Sequence, residues 1–268
     1  MKKILISVMV FSLIGLMAGF GMVAKANTTA LSLAMSAGAL TINDPADASF
    51  AGKNVTDAAQ DSAATISGLA IQDLRGTGAG WSATMTVTNL VTKSAVKKLA
   101  GNNSTVDFTG TYDGLQAAKP GTFIVEITTG GAVETAVFSW TDPDGAVTQN
   151  VTTAASVVLS NGISVTFGAA TYVIGDKWSV GVDSLVYGSL TVTPSSITVV
   201  SGQANSPDMK GSAGVMAGSA ATSDAKAIMT ATSNHGMGSY TIDIGLSQNI
   251  HAYPLSGSYS STATLTVS

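Results

Sequence analysis

Side chains that commonly carry chemistry are scarce in this sequence. The chain has 2 histidines and no cysteine. Nucleophilic catalysis without a thiol needs a serine beside a histidine, and no Gly-x-Ser-x-Gly elbow occurs. His235 and His251 stand in neither metal-ligand nor triad spacing and read as surface or loop residues. Asp142-Pro143-Asp144-Gly145 echoes a calcium loop, but the further oxygen ligands and closing glutamate of an EF-hand are absent. It reads as an acidic β-turn. Gly76, Gly78 and Gly80 have the spacing of a loose phosphate loop, yet they precede a strand, so no helix N-terminus stands behind them to hold phosphate. No two carboxylates are singled out as a glycoside-hydrolysing pair. The expectation is a non-enzyme with no catalytic residue, no metal and no cofactor.

The residues left as ligand-binding candidates are Asp73, Arg75 and Trp81. Asp73 and Arg75, two apart on one strand face, either pair with each other or bind a ligand. Trp81 either fills the edge of a core or contacts a ligand. They lie around Arg75-Gly76-Thr77-Gly78-Ala79-Gly80-Trp81, whose glycines permit positive φ and close backbone approach. From there Trp81, Ala83, Met85 and Val87 alternate with Ser82, Thr84, Thr86 and Thr88, the period-2 pattern of a half-buried strand.

That segment resembles the first motif of the WxL surface domain of Gram-positive bacteria, in which an aspartate, an arginine and a Gly-Thr-Gly-x-Gly-Trp run open a strand. A second stretch is similar to the end of that domain: Gly236-Met237-Gly238-Ser239-Tyr240, then Gly257-Ser258-Tyr259-Ser260-Ser261-Thr262-Ala263-Thr264-Leu265-Thr266. Two departures stand out. Ala83 replaces the usual leucine of the first signature, and Val267 stands where a second Trp-x-Leu would continue. The resemblance implies a β-sandwich and noncovalent binding to the cell wall, with Asp73, Arg75 and Trp81 as the matching positions.

The start of the chain has the order of a secretory leader: Lys2-Lys3, an apolar run from Ile4 to Val23, and the small-residue box Ala24-Lys25-Ala26 before Asn27. Cleavage there is expected, with an uncleaved anchor as the alternative because the run is about long enough to span a bilayer. Three of the 12 Lys and Arg residues precede Asn27, leaving 9 against 16 Asp and Glu, a net charge near −7. This argues against nucleic acid as a partner, since phosphate binding needs clustered Lys and Arg. With no cysteine, disulfides and a lipid anchor on cysteine are excluded, and stability must come from core burial.

Abundant Thr, Val, Ser and Gly and little helical periodicity predict an all-β protein. Strands are expected over 30–42 and 64–71, with a loop or short helical turn over 50–61. Lys93, Lys97 and Lys98 read as a solvated linker with a helical turn, ending in Gly101-Asn102-Asn103-Ser104. A self-contained unit comes next: Phe123–Ile127 pairs with Ala136–Trp140, and Asn161-Gly162 makes a tight hairpin turn before Ile163–Phe167. With Gly121-Thr122, Phe138-Ser139-Trp140, Leu159–Gly168 and Gly175-Asp176-Lys177-Trp178, it resembles the small β module of flagellar hook-associated proteins. Alternation resumes at Tyr187–Pro194, and Ser201–Asp224 reads as a long surface loop.

The resulting organisation is a leader over 1–26, a WxL-like β-sandwich over 27–103 and 186–268, and an inserted β module over 104–185. An insertion of this kind is tolerated at a loop whose ends lie close together. The expected protein is secreted and extracellular, at the bacterial cell surface or in the wall, without a membrane span once the leader is removed. Its expected partner is peptidoglycan or another surface protein. The alternative is a structural subunit of an extracellular filament or surface layer that assembles with itself.

Overall fold

The computed structural model describes residues 33–102, 104–113, 120–202, 209–219 and 222–268. Met1–Ser36 and Ala37–Ser268 form two units. The expected leader and Leu31 lie outside the described residues, and 33–36 are irregular.

The second unit is all-β. Three strands open it: β1 (Leu40–Ile42), β2 (Gln60–Asp73) and β3 (Trp81–Val87). Eleven more come after: β4 (Leu90–Lys93), β5 (Lys97–Ala100), β6 (Val106–Thr109), β7 (Gly121–Thr129), β8 (Gly131–Ala132), β9 (Val137–Thr141), β10 (Val147–Thr152), β11 (Val157–Val158), β12 (Ser164–Phe167), β13 (Thr171–Tyr172) and β14 (Lys177–Leu185). A 3-10 turn at Tyr187–Ser189 leads to β15 (Leu190–Pro194), β16 (Thr198–Gly202), β17 (Gly214–Val215), β18 (Lys226–Ala231), β19 (Gly238–Ile250) and β20 (Ala263–Val267).

The first and last groups of strands share one core. One sheet runs β1-β2-β19-β15-β17, with β16 also on β19, and a second runs β18-β3-β20. Between them lie Trp81, Ala83, Met85 and Val87 from β3, Tyr240, Ile242, Ile244 and Leu246 from β19, and Ile228 and Met229 from β18. The alternation of β3 and β19 is that of a strand with one dry face. On β2 the inward parity changes from Ile66 to Leu69. The register shifts there against Ile242 and Ile244, and Gly68 adopts φ 68° while its N–H donates to Asp243 Oδ1 at 2.7 Å. This bulge takes up one extra residue and turns both Ile66 and Leu69 inward.

β4 to β14 surround a second core. Its main sheet runs β10-β9-β7-β14-β4, with β5 also on β14, against a small sheet β11-β12-β6. Phe123, Val125, Phe138, Val165, Phe167, Tyr172 and Trp178 fill it. Phe138 and Phe167 lie 5.0 Å apart, Phe167 meets Tyr172 edge-on at 5.3 Å, and Tyr172 meets Trp178 at 5.9 Å. Such tilted and edge-on arrangements suit the aromatic quadrupole. Asn161 and Gly162 take φ 51° and 75°, the values a two-residue hairpin turn requires.

The chain enters this second core on β4 and leaves it on β14, and the two strands are hydrogen-bonded neighbours: Leu90 faces Leu185 and Lys93 faces Val182. The ends of the middle segment therefore lie side by side. The lysine segment read as a linker is strand, because β4 and then β5 cover one edge of β14 while β7 covers the other. Lys98 sits 4.5 Å above the Trp178 ring and 3.8 Å from Asp176 Oδ1, so its charge is used internally. Within the stretch read as a long surface loop, the described residues Met209 and Met216 are buried in the first core.

Candidate functional site

Asp73, Arg75 and Trp81 come together around the glycine run, at the end of β2 and the start of β3. The Asp73 carboxylate is buried. Arg75 donates Nε–H to Oδ1 and Nη2–H to Oδ2, each at 3.0 Å, and its backbone N–H also reaches Oδ1 at 3.0 Å. The same Nη2 donates to the Gly80 carbonyl at 2.7 Å. Arg75 thus closes the turn it begins, a fork-on-carboxylate geometry that an ammonium could not reproduce. The side-chain bond from Arg75 is the main cause that holds the Asp73 carboxyl below its ordinary range, against the opposing effect of burial.

A second loop interlocks with this turn. Asn234 N–H donates to the Gly78 carbonyl at 2.6 Å, and Trp81 Nε1–H donates to the Gly236 carbonyl at 3.0 Å. Trp81 is 5% exposed and lies 6.1 Å from the Tyr240 ring. Gly80 shows why the run needs glycine. At φ 75°, a Cβ there would stand 2.5 Å from the Ala231 carbonyl oxygen. The two motif stretches, more than 150 residues apart, form one knot. The Asp73 carboxylate, the Arg75 guanidinium and the Trp81 indole each have internal partners, so the arrangement joins strands. Ligand contact through Trp81 is confined to its small exposed margin.

His251, read as a surface or loop residue, lies in the loop after β19, half-buried, and joins a polar cluster around the buried Asp183. On β14, Asp183 Oδ1 accepts from Ser184 N–H at 2.8 Å and faces His251 Nε2 at 3.0 Å. Its Oδ2 accepts from Leu255 N–H at 2.8 Å and from the Tyr259 hydroxyl at 2.5 Å. Burial, and then the Asp183 carboxylate, push the Tyr259 phenol well above its usual range, so it remains a donor. The other ring nitrogen of His251 faces the Ala252 carbonyl at 2.9 Å. Both nitrogens thus face oxygen acceptors, and a neutral imidazole donates to one of them. The His–Asp pair ties the segment after β19 to the exit strand of the middle segment.

Asp176 anchors the far end of β14 in the same manner. Burial disfavours its charge, but Val173 N–H at 2.8 Å, the Ser104 hydroxyl at 2.9 Å, Asn102 N–H at 2.6 Å and nearby Lys98 outweigh that and hold the carboxyl below its ordinary range. Asp142 Oδ1 accepts from Asp144 N–H at 2.9 Å and Ala146 N–H at 2.8 Å, which makes Asp142-Pro143-Asp144-Gly145 a self-bonded turn. His235 is exposed in the turn after β18. Among the described residues, no group of three or more His, Asp or Glu is placed to hold a metal ion. Among the same residues, no helix is long and apolar enough to cross a membrane.

Sequence reasoning missed Asp183 and Tyr259. The signal was a lone aspartate in the apolar alternation of Trp178-Ser179-Val180-Gly181-Val182-Asp183, since a carboxylate on a buried strand needs donors from elsewhere. No family model, no curated protein and no solved structure matches this chain.

Proposed function

We propose that this chain is a secreted, non-enzymatic bacterial cell-surface protein whose β-sandwich holds noncovalently to peptidoglycan or to another surface protein while the middle module is displayed. The observation that carries the reading is the junction. The middle segment has its own aromatic core, enters and leaves through the paired strands β4 and β14, and is fastened by the buried Asp183 cluster. A second folded body fixed this firmly on a sandwich suits display at a surface. The resemblance of the Asp73–Trp81 stretch to the WxL motif adds the cell wall as the expected support.

The test is sedimentation of the chain with purified peptidoglycan sacculi beside a sacculus-free control. Binding predicts a saturable pelleted fraction that appears only with sacculi. A chain left wholly in the supernatant refutes wall attachment. Trp81→Ala is the wrong control, since it removes a buried core residue and confounds binding with folding.

One observation favours the alternative, a self-assembling filament or layer subunit. All five residues of β16 are exposed, and among the described residues β16 pairs only with β19. Val200 there and Val215 on β17 are 63% and 57% exposed. A strand edge of this kind, without lysine or proline to blunt it, is a template for pairing with another strand. Sedimentation velocity in the absence of sacculi distinguishes the readings: a concentration-dependent polymer series supports assembly, and a monomer at all concentrations removes it.

A further inference from the structure

A cleft of about 290 Å³ opens where β4, the turn after β6 and the segment before β20 meet. Thr92, Lys93, Thr111, Tyr112, Ser258 and Ser260 line it. Five of these six side chains are hydroxyls, each able to donate and to accept. The walls are fixed independently of any ligand. Val91 and Ser260 exchange backbone bonds of 2.9 and 3.0 Å, Tyr259 is held by Asp183, and Asp113 N–H donates to the Asn161 carbonyl at 3.0 Å. Pre-set polar groups reduce the ordering cost that a ligand must meet.

Charge and size narrow the ligand. Lys93, the one charged group among the described lining residues, donates Nζ–H to the Phe108 carbonyl and lies 3.4 Å from the Gly110 carbonyl. Burial first, and then the carboxylates of Asp113, Asp144, Asp183 and Asp142, raise the titration of the Tyr112 phenol, so it stays a neutral hydroxyl. The Lys93 ammonium is already turned to the Phe108 and Gly110 carbonyls, so the hydroxyls are the main recognition groups left in the wall. At about 290 Å³ the cleft falls just below the range of about 300–1,000 Å³ typical of sites for drug-sized ligands, which leaves room for one small ring.

We infer that this cleft is a subsite for one uncharged pyranose unit of a glycan, bearing hydroxyl or acetamido groups. The inference rests on the wall-attachment reading only for the source of the sugar. It places recognition at the junction of the two cores, away from the Asp73–Trp81 knot.

The test is amide NMR of the intact chain titrated with N,N′-diacetylchitobiose, with glucuronic acid as the charged comparison. The expected result is saturable shifts at Thr111, Tyr112, Ser258 and Ser260 with chitobiose alone. Binding should weaken roughly tenfold when Ser258→Ala and Ser260→Ala are combined, and should be lost in Thr111→Trp, which fills the cleft from an exposed position. Spectra of the free variants establish that they remain folded. Absent shifts, shifts that persist in Thr111→Trp, or equal shifts with glucuronic acid overturn the assignment. Sacculus sedimentation of the same samples separates the two ideas. Pelleting without cleft shifts sinks the subsite alone, and cleft shifts without pelleting sink wall attachment alone.

Discussion

Replacing Asp183 by alanine tests whether the two cores are fastened to each other as described. The carboxylate is fully buried and faces four groups: Ser184 N–H, Leu255 N–H, the Tyr259 hydroxyl and His251 Nε2. Removing the carboxylate leaves buried donors without a partner, and each such group typically costs about 1–3 kcal/mol. Hydrogen bonds to a charged group contribute roughly 1.5–3 kcal/mol each, but four bonds to one carboxylate are not additive, so about 3–5 kcal/mol is the expected total. Asp183→Asn keeps the shape and one acceptor while presenting an N–H₂ to donors, and should cost less, about 1–3 kcal/mol. The assay is urea unfolding read by tryptophan fluorescence, with hydrogen exchange resolved by residue. Exchange should accelerate first at Leu255 and its neighbours, while Asn234 N–H, bonded to Gly78 in the other knot, keeps its protection. A loss under about 0.5 kcal/mol, the range of ordinary surface substitutions, with unchanged protection at Leu255, would refute the fastening argument.

Other perturbations address the glycine turn. Gly76→Ala meets open space and should cost only the left-handed backbone preference, about 1–2 kcal/mol, whereas Gly80→Ala drives a Cβ into the Ala231 carbonyl and should cost clearly more; urea midpoints of the two variants decide. Trp81→Phe keeps most of the packing but orphans the Gly236 carbonyl and should lose about 1–3 kcal/mol while staying folded. Arg75→Lys should destabilise nearly as much as Arg75→Gln, since neither supplies the two-pronged contact; equal stability of Arg75→Lys and the parent chain would contradict it. The Asp73 carboxyl is depressed, so its stabilisation is fully present above the ordinary carboxylate range near about 3.9 and disappears as pH falls through its lowered value. In Arg75→Gln, acid unfolding should therefore begin at a higher pH than in the parent chain, as followed by fluorescence.

The strands that carry the first core were legible wherever alternation ran unbroken. Trp81 to Val87 and Tyr240 to Leu246 needed only a period of two, because one face of each meets a dry core. β2 was legible as a shorter strand, since its bulge at Gly68 shifts the inward parity midway. The lysines at 93, 97 and 98 disguised β4 and β5, for a lysine can occupy a strand when a carbonyl or an aromatic face receives its head group. The pairing of Asp73 with Arg75 was readable from a separation of two residues. The Asp183 cluster was not, because its partners lie on a segment some 70 residues away and only the fold brings them together.

The side-by-side attachment of the middle segment has a mechanical consequence. Its two points of entry, β4 and β14, are adjacent and antiparallel, so tension carried along the sandwich passes across that one pair of strands without stretching the second core between separated ends. A pull that reaches the module itself must unzip or shear this pair, and the Asp183 bonds lie beside it. Under load, the sandwich should yield while the module still travels with the chain as an intact passenger.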